Sequence, residues 1–227
     1  MAKRKVALVF DVNETLLDLR GLDEPFEKVF GDAKIRGEWF QQLLQSALVS
    51  TVTDTYADFG TIGRAALAMV ASRRSRELAD AEVDQILGAV KRLPPHPEVA
   101  DALERLRDGG YRLATLTNST GAVAQAQLEH AGLTHLFERI VSADTARRLK
   151  PAREAYHLAA RELGVEVGQL RLVAAHAWDV AGALRAGCLA AFVARPGMVL
   201  DPLAPSPDIV GADLGEIADA LLQTGDG

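Results

Sequence analysis

At 227 residues, with 48% hydrophobic and 25% charged side chains, the chain is long enough for one α/β domain or for a core carrying a smaller insertion, and its composition excludes a disordered or fibrous protein. A net charge of −6, with no basic stripe beyond Arg73-Arg74 and Arg147-Arg148, argues against a nucleic-acid partner. The single cysteine, Cys188, excludes an intramolecular disulfide and fits a reducing cytoplasm, while the apolar run after the basic residues 1–5 stops at Asp11, too short for a secretory signal or a membrane span.

Residues 6–10, Val-Ala-Leu-Val-Phe, read as a parallel strand buried on both faces. The stretch 19–92 then carries helical periodicity only, over 25–30, 35–48, 61–73 and 80–90, and predicts a separate helical cap. Leu93-Pro94-Pro95-His96-Pro97, where helix is locally disfavoured, leads the chain back. From there strands at 112–116, 140–141, 172–175 and 190–193 alternate with helices at 98–108, 121–131, 154–163 and 180–186. These helices are followed by Gly109-Gly110, Gly132, Gly164 and Gly187, glycines suited to left-handed caps. The alternation predicts an α/β fold: a Rossmann-like parallel-sheet core over 1–18 and 93–227, with the cap inserted at 19–92.

In such a sheet, ligands bind at the carboxyl ends of the strands. Asp11, Val12, Asn13 and Thr15 follow the first strand, Thr117 and Asn118 the second, Lys150 the third, and His176, Trp178 and Asp179 the fourth. This set suits attack by a carboxylate and hydrolysis of the resulting ester. Asp11 is the nucleophile of that scheme, and Lys150 keeps it ionised, since a cation within about 4–6 Å lowers a carboxylate pKa by roughly 1–3 units. Thr15 and Thr117 offer hydroxyls, the backbone past Asp11 at Val12 and Asn13 offers donors to a substrate anion, and Asp179 activates water. Singly, each residue has a plainer reading: Asp11 as a turn cap, Lys150-Pro151 as a loop, Trp178 as packing, His176 as a structural hydrogen-bonder. Their conjunction at four strand ends points to a site.

These motifs resemble the haloacid dehalogenase superfamily and, within it, the type II (L-2-haloacid) dehalogenases. The pattern D-x-x-x-T-L stands as Asp11-Val12-Asn13-Glu14-Thr15-Leu16, the second motif as Leu116-Thr117-Asn118, and the third as Lys150-Pro151 with Tyr156 beyond. The branch's Asn-Ala-Trp-Asp stands as His176-Ala177-Trp178-Asp179, and Tyr56-Ala57-Asp58-Phe59 also matches it. The resemblance implies hydrolysis of short 2-haloalkanoic acids to 2-hydroxy acids through an aspartyl ester on Asp11, with no metal and no cofactor. It implies halide-side contacts from Phe59, Asn118 and Trp178, support of Lys150 by Tyr156, and a homodimer.

Asn13 stands where the superfamily's phosphatases carry the aspartate that protonates a leaving alcohol, and Asp179 is the only carboxylate of its local cluster. A magnesium-dependent phosphatase is the alternative activity, and a scaffold without chemistry is a third reading. Within the resemblance, Phe40 and Gln41 follow Trp39 where the branch carries a halide-receiving arginine, and Ala174 replaces a serine. His176 replaces the branch's asparagine and, with an ordinary pKa of about 6.5, would change charge within the working range, accepting from the hydrolytic water when neutral or donating to fluoride when charged.

Overall fold

The structure is a computed structural model and describes residues 6–224; residues 1–5 and 225–227 of the expected core lie outside that range. Strands β1 (Ala7–Phe10), β2 (Arg112–Thr117), β3 (Arg139–Ser142), β4 (Leu170–Ala174), β5 (Leu189–Val193) and β6 (Ile209–Gly211) form one parallel sheet in the order β3-β2-β1-β4-β5-β6. Helices α5 (Val99–Asp108), α6 (Gly121–His130), α7 (Arg153–Leu163), α8 (Ala177–Ala186) and α9 (Leu214–Thr224) connect and flank it. β1 pairs with β2 on one side and β4 on the other, and every residue of it is buried, which is why its sequence is a continuous apolar run. Its carboxyl end therefore lies at the switch point of the topology, where open α/β sheets hold ligands.

Between β1 and β2 the chain is helical: α1 (Asp23–Phe30), α2 (Ile35–Val52), α3 (Phe59–Ser72) and α4 (Asp80–Ala89). Phe26, Trp39, Leu43, Leu67 and Ile86 of these helices belong to the same buried cluster as Leu8, Phe10 and Leu16 of the sheet side. Each such side chain contributes about 1.5–3 kcal/mol on burial, so the helices are fastened to the sheet by their own apolar faces. The outgoing and returning strands touch: Asp18 donates its N–H to the Pro94 carbonyl at 2.8 Å and His96 donates to that of Leu16 at 2.9 Å.

Four local differences from the sequence reading have physical causes. α3 starts at Phe59 because Asp58 caps it, accepting from the Thr61 N–H at 3.0 Å. α8 starts at Ala177, ahead of the apolar periodicity, because Trp178 lines the site and Asp179 is held by Lys150 instead of serving the core stripe. Gly109 keeps a right-handed conformation, and Gly110 supplies the left-handed turn at φ 88°. Strand β6 is too short for a periodic signal, yet it extends the sheet edge and seats α9.

Candidate active site

Asp11 leaves β1 with its N–H bonded to the Val173 carbonyl of β4, which directs its carboxylate over the sheet's carboxyl edge. Lys150, 1% exposed, donates to Asp11 Oδ1 at 2.9 Å and also to Asp179 Oδ2. Thr15 Oγ1 donates to Asp11 Oδ2 at 2.7 Å and itself accepts from the Ala175 N–H past β4. Burial acts to raise the Asp11 pKa, but the Lys150 ammonium and His176 outweigh it and hold the carboxyl well below the usual carboxylate range. Burial likewise opposes the charge on Lys150, and the two carboxylates overcome it and raise its pKa. At Asp179 burial wins, seconded by the Asp11 charge, and the pKa rises despite Lys150. The pair is therefore polarised: Asp11 stays ionised while Asp179 is the readier to take a proton.

Two local devices hold this arrangement. Asn118 accepts from the Lys150 N–H at 2.7 Å and donates to the Lys150 carbonyl at 3.3 Å, so β2 fixes the lysine's backbone. Gly182 lies one helical turn past Asp179 on α8, and a methyl added there would sit 2.5 Å from both Pro151 Cβ and Tyr156 Oη. Only glycine lets the helix approach closely enough to present Asp179 to Lys150.

His176 occupies the N-cap position of α8 without capping it, and its ring turns to the β1 loop. Nδ1 lies 3.3 Å from Asp11 Oδ2 and Nε2 2.9 Å from Glu14 Oε2, with the Phe40 and Trp178 rings at 6.0 and 5.3 Å. Burial would lower its pKa, yet the hydrogen bonds to Asp11 and Glu14 raise it to about 9. Flanked by two carboxylates, the imidazole is shifted toward its charged form, so its change of charge moves above the ordinary histidine value expected from the sequence.

A small chamber of about 10 Å³, room for one water, is bounded by Asp11, Lys150, Thr117, Asn118, His176 and Trp178. Asn13, Phe40 and Phe59 line both this chamber and an adjoining, mainly apolar cavity of about 350 Å³ between the cap helices and the sheet. The indole Nε1–H of Trp178 is buried and has no partner among the described residues. Also among the described residues, no three His, Cys, Asp or Glu side chains are grouped to hold a metal ion.

The family model for haloacid dehalogenase-like hydrolases matches residues 6–187, most of the chain and every residue that lines the chamber. The chain belongs to this family. A haloacetate dehalogenase H-2 from a Moraxella species is 30% identical over 91% of this chain and 93% of its own. An (S)-2-haloacid dehalogenase H-109 from Pseudomonas putida is 28% identical over 95% and 97%. Among solved structures, the L-2-haloacid dehalogenase of Xanthobacter autotrophicus with chloropropionic acid covalently bound superposes with a TM-score of 0.90 at 27% identity, covering 96% of this chain and 98% of that one.

Within this haloacid dehalogenase-like hydrolase, several predicted site residues stand differently from expectation. Tyr156 does not line the chamber: it is fully buried and donates to Asp179 Oδ1 at 2.6 Å, so it braces that carboxylate rather than Lys150. The Val12 side chain is in the core, and its carbonyl accepts from Leu16 and Leu17. Asn13 lines the chamber while its amide is spent on Gln127 at 2.9 Å and Ser119 at 3.4 Å. Thr117 Oγ1 accepts from the Ser119 N–H. Phe40, at the position of the family's arginine, packs on His176, and Gln41 is exposed, so neither brings a charge to the chamber. Sequence reasoning missed Glu14, read as a spacer inside a motif, and Arg195, which donates to the Thr15 carbonyl at 2.8 Å and pairs with Glu98 at 2.6 Å. Inspecting the end of the fifth strand as closely as the first four would have found Arg195.

Proposed function

We propose that this chain hydrolyses short 2-haloalkanoic acids to 2-hydroxy acids, Asp11 displacing halide from C2 of the L-enantiomer with inversion and water then cleaving the aspartyl ester. The observation that carries the reading is the polarised carboxylate pair: Asp11 held ionised by Lys150, and Asp179, on the same lysine, with a raised pKa fit to deprotonate water. Asn13 supports it, because a carboxamide cannot protonate a leaving alkoxide and a departing halide needs no proton. Phe40 stands where the branch carries its arginine, and Trp178, whose buried indole N–H has no partner among the described residues, borders the chamber. The adjoining cavity gives an apolar acyl chain room to extend. A cytoplasmic location and a homodimer belong to this reading. The buried, unpaired Cys188 accords with the first, and sedimentation velocity tests the second.

Halide release from a panel of fluoro-, chloro- and bromoacids tests the activity. The expected result is stoichiometric halide and 2-hydroxy acid, insensitive to chelator and abolished in Asp11→Asn. Turnover of a chromogenic phosphate ester that needs magnesium, with no halide released from any acid, would overturn it.

A further inference from the structure

The Asp11 carboxylate is unequally engaged. Oδ2 accepts from both Thr15 and His176, whereas among the described residues Oδ1 accepts only from Lys150. Each carboxylate oxygen offers two in-plane lone pairs, so Oδ1 keeps one free for attack and Oδ2 becomes the carbonyl oxygen of the ester. Glu14 adds a second sign of construction. It is held at φ 62°, a left-handed conformation that costs a non-glycine residue about 1–3 kcal/mol, with its N–H bonded to the Leu17 carbonyl at 2.8 Å. That strained turn delivers its carboxylate to His176 Nε2.

Building on the covalent reading of Asp11, we infer that His176 is a catalytic residue of the second step, its Nδ1–H and the Thr15 hydroxyl forming an oxyanion hole for Asp11 Oδ2, and that Glu14 is the positioning residue that keeps the imidazole charged and aimed. Water adds to Cγ of the ester as its proton passes to Asp179, and the carbonyl electron pair moves onto Oδ2. The two donors hold that negative charge until the Cγ–Oδ1 bond breaks and the product alkoxide leaves on the Lys150 side, taking its proton from the lysine or from protonated Asp179. The original Asp11 Oδ1 departs in the product, and the water oxygen remains on Asp11. A role in halide departure does not fit this position, because in-line displacement sends the halide to the far side of C2 from the attacking carboxylate.

The groups facing His176 favour this charge state. Asp11 and Glu14 contact its nitrogens, Asp179 lies on the first turn of its own helix, and the Phe40 and Trp178 faces flank it. The nearest opposing cation is Lys150, spent on the two aspartates; His96, whose Nε2 meets the Glu14 carbonyl at 3.3 Å, has its pKa lowered by burial and Arg195, which favours its neutral form.

Rapid-quench kinetics with 2-chloropropionate, reading halide release and the mass of the Asp11 peptide, separates ester formation from ester hydrolysis. His176→Ala, which leaves no donor at this position, is expected to slow hydrolysis roughly 10²–10³-fold, the usual effect of losing one oxyanion donor, so that alkylated Asp11 accumulates. In the unaltered protein, hydrolysis should fall as pH rises through about 9, with the imidazole carbon shifts of His176 titrating there, and Glu14→Gln should move both to lower pH. An unmoved alkaline limb and titration in Glu14→Gln, or lost turnover in His176→Ala without accumulated ester, would overturn the inference while leaving the ester mechanism standing. Absence of any Asp11 adduct in all three proteins would remove the covalent reading and the inference with it.

Discussion

The floor of the site and its cap-side wall are built on opposite principles. Around Asp11 three carboxylates and two cations, from Asp11, Glu14, Asp179, Lys150 and His176, are packed at hydrogen-bond distance with almost no solvent. Across the chamber, the larger cavity is lined mainly by side chains such as Leu19, Leu22, Trp39, Leu43 and Leu87. In a dry site, charges act strongly and demand fixed geometry, whereas apolar walls tolerate change in small increments. In the proposed mechanism, bond making and breaking belong to the floor, and choice of acyl chain to the wall.

The largest expected effect is at the nucleophile: Asp11→Asn should lower kcat by about 10⁴–10⁶-fold, measured as halide release, with folding intact by circular dichroism. Next comes stability. Because the folded-state pKa of His176 is raised to about 9 from 6.5, its contribution is fully present below pH 6.5 and is lost as pH rises through 9. Thermal melts at pH 6 and pH 10 should register that loss, on the order of 3 kcal/mol, and it should vanish in His176→Asn. Gly182→Ala pushes α8 from Pro151 and Tyr156 and should cost about 10²-fold in kcat with little change in KM, since a displacement near 1 Å at a reacting pair suffices. Smallest is the wall: Leu87→Phe, on α4, narrows the larger cavity and should raise KM about tenfold for longer-chain substrates while sparing the shortest. A wall substitution that altered kcat as strongly as a floor one would break the division.

Much of this was legible in the sequence, because β1 is buried on both faces and its Val-Ala-Leu-Val-Phe run has no other reading, and because Asp11, Lys150 and Asp179 each follow a strand. What escaped depends on side-chain direction rather than position. Tyr156 follows Lys150 in sequence, yet α7 turns its hydroxyl beneath Asp179. Glu14 has no local signal, since its partner lies 162 residues away, and only the left-handed backbone brings the two together. His176 looked like an ordinary titrating histidine because the two carboxylates that raise its pKa come from another loop.

The central claim, that Asp11 is esterified and water cleaves the ester at Cγ, is tested most directly by multiple turnovers in heavy-oxygen water followed by mass spectrometry of the Asp11 peptide. The account predicts solvent oxygen in the Asp11 carboxylate. Label confined to the 2-hydroxy acid, with none entering the protein, would contradict it and require direct attack of water on C2.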